Sequence, residues 1–320
     1  MIGTREGGRA LGVTGGRAAG GQVPAGGPAG VGEGGEDRAT LRGAIEWAAR
    51  EIGAASDTAR LDAELLLAHV LGRSREQLLV ESLGRRGARI EAGKLAALEG
   101  LVERRARERE PVAYIVGERH FRRLAMRVDR RALIPRPETE LLVEAALELP
   151  AGSAVLDLCT GCGAVALAVK DERPDLRVTG SDVSAEALAL ARENAARLGL
   201  EVNWRQADLL EGLADEHDAL LCNPPYVAER ERTGLAPEIV RHEPHLALFA
   251  GEDGLAAIRA LTAQLAGLER LRLVAIEVGC GQARAVAGLL DRAGFEEVGI
   301  VRDLAGIERV VVGERGRAPG

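Results

Sequence analysis

Residues 223–226 read Asn-Pro-Pro-Tyr, and an apolar run, Ala219-Leu220-Leu221-Cys222, leads straight into them. Two adjacent prolines cannot continue a helix or a central strand, because neither has an N–H to donate and both fix φ. The run therefore reads as a buried strand that ends in a rigid turn. Asn223 offers a side-chain carbonyl, Pro224 leaves its own C=O free, Pro225 stiffens the turn, and Tyr226 supplies a flat aromatic face. Two acceptors for two N–H donors and one aromatic lid make a receptor for a planar –NH2 group. The plain alternative is an ordinary proline-rich loop.

Two further features stand at the ends of apolar runs. Asp157-Leu158-Cys159-Thr160-Gly161-Cys162-Gly163 carries glycines between a strand and a helix, where a bare backbone lets a ligand approach closely. The spacing is not that of a dinucleotide loop, and no Lys-Ser/Thr follows as in a phosphate-binding loop. A cofactor without a pyrophosphate is indicated, a generic tight strand–helix turn being the other reading. Asp182 ends the next strand, 25 residues after Asp157. A carboxylate there can accept both ribose hydroxyls of a nucleoside; Ser184 is the better N-cap for the helix that follows. Cys159, Cys162, Cys222 and Cys280 all fall at strand ends, but the paired spacing of a zinc site is absent, so no metal is expected.

These residues need a scaffold. From residue 136 to 313 the chain alternates strand and helix: strands at 154–158, 177–182, 219–222 and 273–278, helices at 164–170, 184–198 and 255–268. Such alternation implies an α/β fold, a doubly wound, mostly parallel sheet with helices on both faces. In such a sheet ligands bind beyond the carboxyl ends of the strands. Residues 296–303 and 308–312 read as a closing antiparallel hairpin.

Residues 37–110 look helical. Leu41, Ala44, Ile45 and Ala48 recur at helix spacing, as do Leu61, Leu65, Ala68 and Leu71, with Asp57 as the N-cap expected for the second set. Ser74-Arg75-Glu76-Gln77 has capping-box form. Residues 90–109 read as a longer helix whose charged end is a solvated face. From Thr40 to Glu110, 13 basic and 12 acidic residues nearly cancel, which suits a packing or protein-contacting module more than a nucleic-acid clamp. Residues 111–135 switch to β character, with Tyr114-Ile115-Val116 expected to pair with Met126-Arg127-Val128 as a hairpin linker. Seven Arg against Asp129 alone between residues 119 and 136 form a basic patch, either solvated or in contact with phosphate or an acidic partner. Residues 1–36 hold 14 Gly and no aromatic residue, so a disordered extension is expected. Its Gly20-Gly21-Gln22 is unremarkable in so glycine-rich a segment.

The chain has 320 residues, 46% hydrophobic and 28% charged, which fits a globular protein. A net charge of -7 gives no global attraction to nucleic acid or an anionic membrane. No apolar run reaches the roughly 18 to 20 residues that span a bilayer, and no secretory h-region opens the chain, so the cytoplasm is expected.

Together, Asp-Leu-x-Thr-Gly-x-Gly, the acidic end of the second strand and Asn-Pro-Pro-Tyr resemble a class I S-adenosylmethionine-dependent methyltransferase, of Rossmann-like seven-stranded fold, that methylates amino groups. "PVAYIVGERHF" (111–121), "LIPRPETELLVE" (133–144), "HEPHLALFAGEDGL" (242–255) and "RDLAGIERVV" (302–311) are similar to the release-factor glutamine methyltransferase family over residues 40 to 313. The "PRPETE" stretch separates it from a sister family acting on a ribosomal protein. The resemblance implies a 37–110 substrate-recognition domain, a 111–135 hairpin linker and a 136–320 methyltransferase domain, in a monomer. It implies methyl transfer from S-adenosyl-L-methionine, leaving S-adenosyl-L-homocysteine, to the side-chain nitrogen of the Gln in the Gly-Gly-Gln motif of class 1 peptide chain release factors. Asp157 would belong to the cofactor site, Cys159 to Gly163 would line the methionine part, Asp182 would take the ribose, and Asp208 and Leu209 would flank the adenine. Asn223 to Tyr226 would hold the target amide beside the cofactor, with no histidine base. Gly and Thr are usual in place of Cys159 and Cys162, and an aromatic residue is common at 209. The rival readings are methylation of a ribosomal-protein glutamine or of an exocyclic amine on a nucleic-acid base, and a metal or redox module built on the cysteines.

Overall fold

Three apolar clusters organise the chain, one in the N-terminal helices and one on each face of a sheet. The computed structural model describes residues 37–82, 89–214 and 216–316. The expected extension 1–36 and its Gly20-Gly21-Gln22 lie outside the described residues.

Helices α1 (Leu41–Ile52), α2 (Ala59–Leu71), α3 (Arg75–Ser82) and α4 (Ala92–Glu103) bury Leu41, Ile45, Leu66, Leu67, Leu78 and Leu98 against one another. Thr40 caps α1, its Oγ1 accepting the Gly43 N–H at 3.1 Å. Ser74 and Gln77 cap α3 reciprocally: the Gln77 N–H donates to Ser74 Oγ at 3.2 Å and the Ser74 N–H to Gln77 Oε1 at 3.0 Å. α2 begins after Thr58 rather than at the expected Asp57, because Ser56 Oγ takes the Thr58 N–H and starts the turn one residue later. The chain beyond α4 continues as a π-helical turn over Arg104–Glu108.

Tyr114-Ile115-Val116 does not form the expected strand. It belongs to a one-turn helix, α5 (Val112–Val116), started by Pro111 and stopped by Gly117 at φ 79°. The helical turn sends Ile115 into the N-terminal core while the Tyr114 hydroxyl donates to the Ala132 carbonyl at 2.7 Å. The hairpin is instead β1 (Glu118–Phe121) with β2 (Leu124–Arg127). Its Phe121 and Met126 are buried in the core of the following domain.

That domain runs α6 (Glu140–Leu147), β3 (Ala154–Leu158), α7 (Ala164–Glu172), β4 (Arg177–Asp182), α8 (Ala185–Leu198), β5 (Asn203–Gln206), β6 (Ala219–Cys222), α9 (Pro237–His242), α10 (Ala256–Gln264), β7 (Leu273–Glu277), α11 (Ala283–Arg292), β8 (Glu297–Arg302) and β9 (Glu308–Glu314). The seven-stranded sheet has the order β5-β4-β3-β6-β7-β9-β8, with β9 antiparallel to both neighbours and the rest parallel. Strand alternation sends Val155 and Leu221 to the face covered by α6, α7 and α8, and Leu156 and Leu220 to the face covered by α10 and α11. The order reverses at β3, whose Leu158 is level with Ser181 on one side and Cys222 on the other. Cys159, Asp182 and Asn223 therefore leave the sheet side by side, at the switch point where ligands bind. Among the described residues, no helix is long and apolar enough to cross a membrane.

Candidate active site

A cavity of about 480 Å³ opens at this carboxyl edge, within the usual size of a small-molecule site. Asp157, Cys159, Thr160, Gly161, Cys162, Asp182, Asp208, Leu209, Asn223 and Pro225 line it. Of the other residues singled out in the sequence, Gly163, Pro224 and Tyr226 adjoin lining residues but are not among them. Thr139 and Phe249, not singled out there, line it too.

The loop after β3 is held by the carboxylate before it. Asp157 Oδ2 accepts the Ala166 N–H at 2.9 Å and the Thr160 hydroxyl. Burial raises the Asp157 pKa to about 7 against those hydrogen bonds, with the Asp182 charge adding to the rise. The Thr160 N–H donates to the Ser181 carbonyl at 2.9 Å, tying the loop to β4. Gly163 is at φ 85°, and a Cβ there would come within 2.9 Å of the Trp204 ring, so the turn has room only for glycine. Cys159 and Leu209 adopt φ of 59° and 51°, backbone that favours glycine. Asp182 is half-buried; its Oδ2 accepts the Gly161 N–H and its Oδ1 the Ser184 N–H, both at 2.9 Å. Burial, the largest influence, raises its pKa, and the backbone N–H groups oppose it.

The Asn-Pro-Pro-Tyr turn is clamped from several sides. Asn223 Nδ2 donates to Thr139 Oγ1 at 3.1 Å, and Oδ1 takes no hydrogen bond among the described residues. The Tyr226 carbonyl accepts from Gln282 Nε2 at 2.9 Å, and its hydroxyl donates to Glu277 Oε1 at 3.1 Å. Val227 exchanges backbone hydrogen bonds with Leu248 and Ala250, pulling residues 244–251 over the cavity. At Gly254 a Cβ would stand 2.2 Å from the Tyr226 carbonyl oxygen, so only glycine lets that segment close on the turn.

Several positioning residues escaped the sequence reading. Asn194, fully buried, accepts the Arg127 N–H and donates to the Arg127 and Cys162 carbonyls, which joins the hairpin to the glycine loop. Glu243 holds Arg136 at 2.6 Å and accepts the Ile134 N–H at 3.3 Å. A usable signal existed for Glu277, a carboxylate at the end of an apolar strand, just as Asp157 is. All four cysteines are free thiols, and burial pushes the Cys162 pKa to about 12. Among the described residues, no three His, Cys, Asp or Glu side chains are grouped to hold a metal ion.

Fold and cavity define a class I methyltransferase. Residues 137–264 match the family described as "Methyltransferase small domain", and residues 43–117 match "PrmC N-terminal domain". A release factor glutamine methyltransferase of Caulobacter vibrioides is 41% identical, over 80% of this chain and 90% of that protein. One from Bordetella pertussis is 44% identical, over 78% and 93%. Among solved structures, the hMettl16 catalytic domain in complex with MAT2A 3'UTR hairpin 1 matches with a TM-score of 0.51 at 12% identity, covering 78% of this chain and 91% of that one; this likeness concerns the fold alone. The chain belongs to the release factor glutamine methyltransferase family.

Proposed function

We propose that this protein methylates the side-chain amide nitrogen of the glutamine in the Gly-Gly-Gln motif of class 1 release factors, with S-adenosylmethionine as donor. The observation that carries the reading is Asn223: Thr139 holds its –NH2, so its carbonyl oxygen is free beside the glycine loop. The cavity fits the donor. Asp182 keeps unused lone pairs on both oxygens for a ribose diol, and the 480 Å³ volume suits a nucleoside with an amino-acid tail. Leu209 and Asp208, on the same cavity wall, offer the adenine an apolar side chain and a hydrogen-bond acceptor. When bound, S-adenosylmethionine supplies a methyl group on a positively charged sulfur.

The chain's own residues do the rest. An amide nitrogen is a poor nucleophile because its lone pair is delocalised. Asn223, on the cavity wall, would accept one of the amide's N–H groups at Oδ1, and the carbonyl of Pro224, the next residue along the turn, the other, offsetting the positive charge that grows on the nitrogen. Orientation supplies a further several kcal/mol. No base is needed before attack, since a proton leaves afterwards. We further propose that it acts in the cytoplasm, where a release factor would meet it, and as a monomer.

The test is mass spectrometry of a purified release factor after incubation with the protein and S-adenosylmethionine. One added methyl on the Gly-Gly-Gln glutamine is expected. Asn223→Ala is expected to keep donor affinity while turnover collapses; a fully active variant overturns the amide grip.

A further inference from the structure

Residues 302–311 form one of the four stretches by which the chain resembles its family, yet none of them lines the cavity. Their place in the sheet puts them close to it. β7 and β8 both run antiparallel to β9, so β8 is parallel to β7 and the β8–β9 turn leaves the sheet at the carboxyl edge. In the order β6-β7-β9-β8 this turn stands three strands from β6, on the order of 15 Å from Asn223.

The turn holds one side chain out. Asp303 Oδ1 accepts the Ala305 and Ile307 N–H groups and its Oδ2 accepts from Arg309 Nε, each at 2.9 Å. The Asp303 N–H donates to the Ile307 carbonyl and the Gly306 N–H to the Asp303 carbonyl, both at 2.9 Å. Leu304 projects from this frame, 110% exposed. A single exposed Leu is ordinary on a protein surface. This one is carried by a hydrogen-bonded turn, so covering it costs little ordering of the backbone. Its surroundings are neutral, because the four charged side chains of 302–309 pair within the hairpin, Arg302 with Glu308 and Arg309 with Asp303. Of the seven large apolar side chains exposed among the described residues, Ile300, Val301 and Leu304 belong to this hairpin, and Val183 and Leu246 line the cavity. Exposed apolar surface thus gathers towards the edge where the cavity opens, as at a protein-binding face.

We propose that Leu304, presented by the β8–β9 turn, is an anchor for the protein substrate: while the Gly-Gly-Gln loop occupies the cavity, an apolar pocket on the body of the release factor closes over Leu304. The choice of partner rests on the activity proposed above. A folded protein that sends a loop into the cavity must lie across this edge. An interface of ordinary size, about 800 Å² on each partner and so roughly 30 Å across, takes in both the cavity mouth and the turn. The contact adds affinity for a folded factor and has no part in the grip on the amide, so a short peptide gains nothing from it.

Calorimetry with S-adenosyl-L-homocysteine in the cavity reads binding of the intact release factor without turnover. Leu304→Asp should weaken that binding roughly 10- to 100-fold, as for an apolar anchor left uncovered, and Leu304→Met should retain most of it. Thermal unfolding and S-adenosylmethionine affinity should match the wild type, because so exposed a side chain holds nothing in the fold. In the methylation assay, Leu304→Asp should raise KM for the intact factor and leave the rate on a short Gly-Gly-Gln peptide unchanged. Wild-type affinity for the factor in Leu304→Asp overturns the docking site and leaves the activity standing, as do equal losses on factor and peptide. A wild-type dimer in sedimentation that Leu304→Asp dissolves also overturns it, the occupant then being a second copy of the chain. A wild type that methylates neither substrate overturns the activity, and the choice of partner with it.

Discussion

Cys159 and Leu209 both occupy left-handed backbone, which a side chain tolerates only under strain. A glycine at position 159 would hold the same conformation without strain. Beside them, Asp182 is fixed by two backbone N–H groups. Asp182→Ala should weaken S-adenosylmethionine binding by roughly 1–3 kcal/mol, the loss of a charged hydrogen-bond partner. Calorimetry on the folded variant checks it, and unchanged affinity removes the ribose role. Glu277 makes a separate prediction about stability. Its folded pKa is raised from 4.5 to about 7, so the native state holds a proton that the unfolded chain releases. Its stabilising contribution is thus complete below pH 4.5 and is lost as pH rises through 7. Urea unfolding at pH 5 and pH 8 should show the wild type losing on the order of 3 kcal/mol more than Glu277→Gln over that interval. Equal losses in the two proteins would exclude a raised Glu277 pKa.

At the scale of elements, the basic patch around the hairpin is engaged within the chain. Arg122 pairs with both oxygens of Glu172 at 2.7 Å and also meets Glu144; Arg123 meets Asp171; Arg131 holds Asp129 and Glu193; Arg136 holds Glu243. These pairs fasten the hairpin to α6, α7 and α8, so the patch serves attachment. The charged end of α4 and the turn after it keep Glu103, Arg107 and Glu108 exposed, as expected of a solvated face, and depart from it at one Arg. Arg105 is buried, its Nε donating to Asp62 Oδ2 at 2.7 Å. A bidentate, half-buried pair contributes more than an exposed one. Arg122→Ala should therefore cost about 1 kcal/mol in urea unfolding, and the more exposed Arg123→Ala less than about 0.5 kcal/mol. The reverse ranking would show that the bidentate pair does not hold the hairpin.

Across the whole molecule, the N-terminal helices grip the segment that roofs the cavity. Glu238, in α9, takes Arg105 at 3.3 Å and Arg109 at 2.9 Å, and His242 meets the Glu108 carbonyl at 2.8 Å. The amide grip sees only an amide, so it cannot tell one glutamine from another. We propose that selection of the release factor lies with the helical domain, 37–110, whose placement depends on this seam. Glu238→Ala, outside the cavity wall, should slow methylation of intact release factor at least several-fold while changing the rate on a short Gly-Gly-Gln peptide much less. Parallel rate measurements decide it; equal losses on both substrates would place specificity elsewhere.

The sequence by itself determined the alternating strands and helices, the capping box at Ser74–Gln77 and the three strand-end features, because each is written in residues close together along the chain. Apolar runs, glycines and prolines act locally. Only the tertiary structure decided what depends on distant partners. Whether Tyr114-Ile115-Val116 coils or extends was undecidable from a short apolar run, since both periods fit it; Ile115 docking on the N-terminal core settles it. Arg122 finds Glu172 fifty residues away, and Asn223 finds Thr139 across 84. Strand register set Asp182 and Asn223 on either side of Cys159. Packing of β7 beside β6 then brought Glu277 beneath Tyr226, where burial gave an ordinary carboxylate its neutral-range pKa.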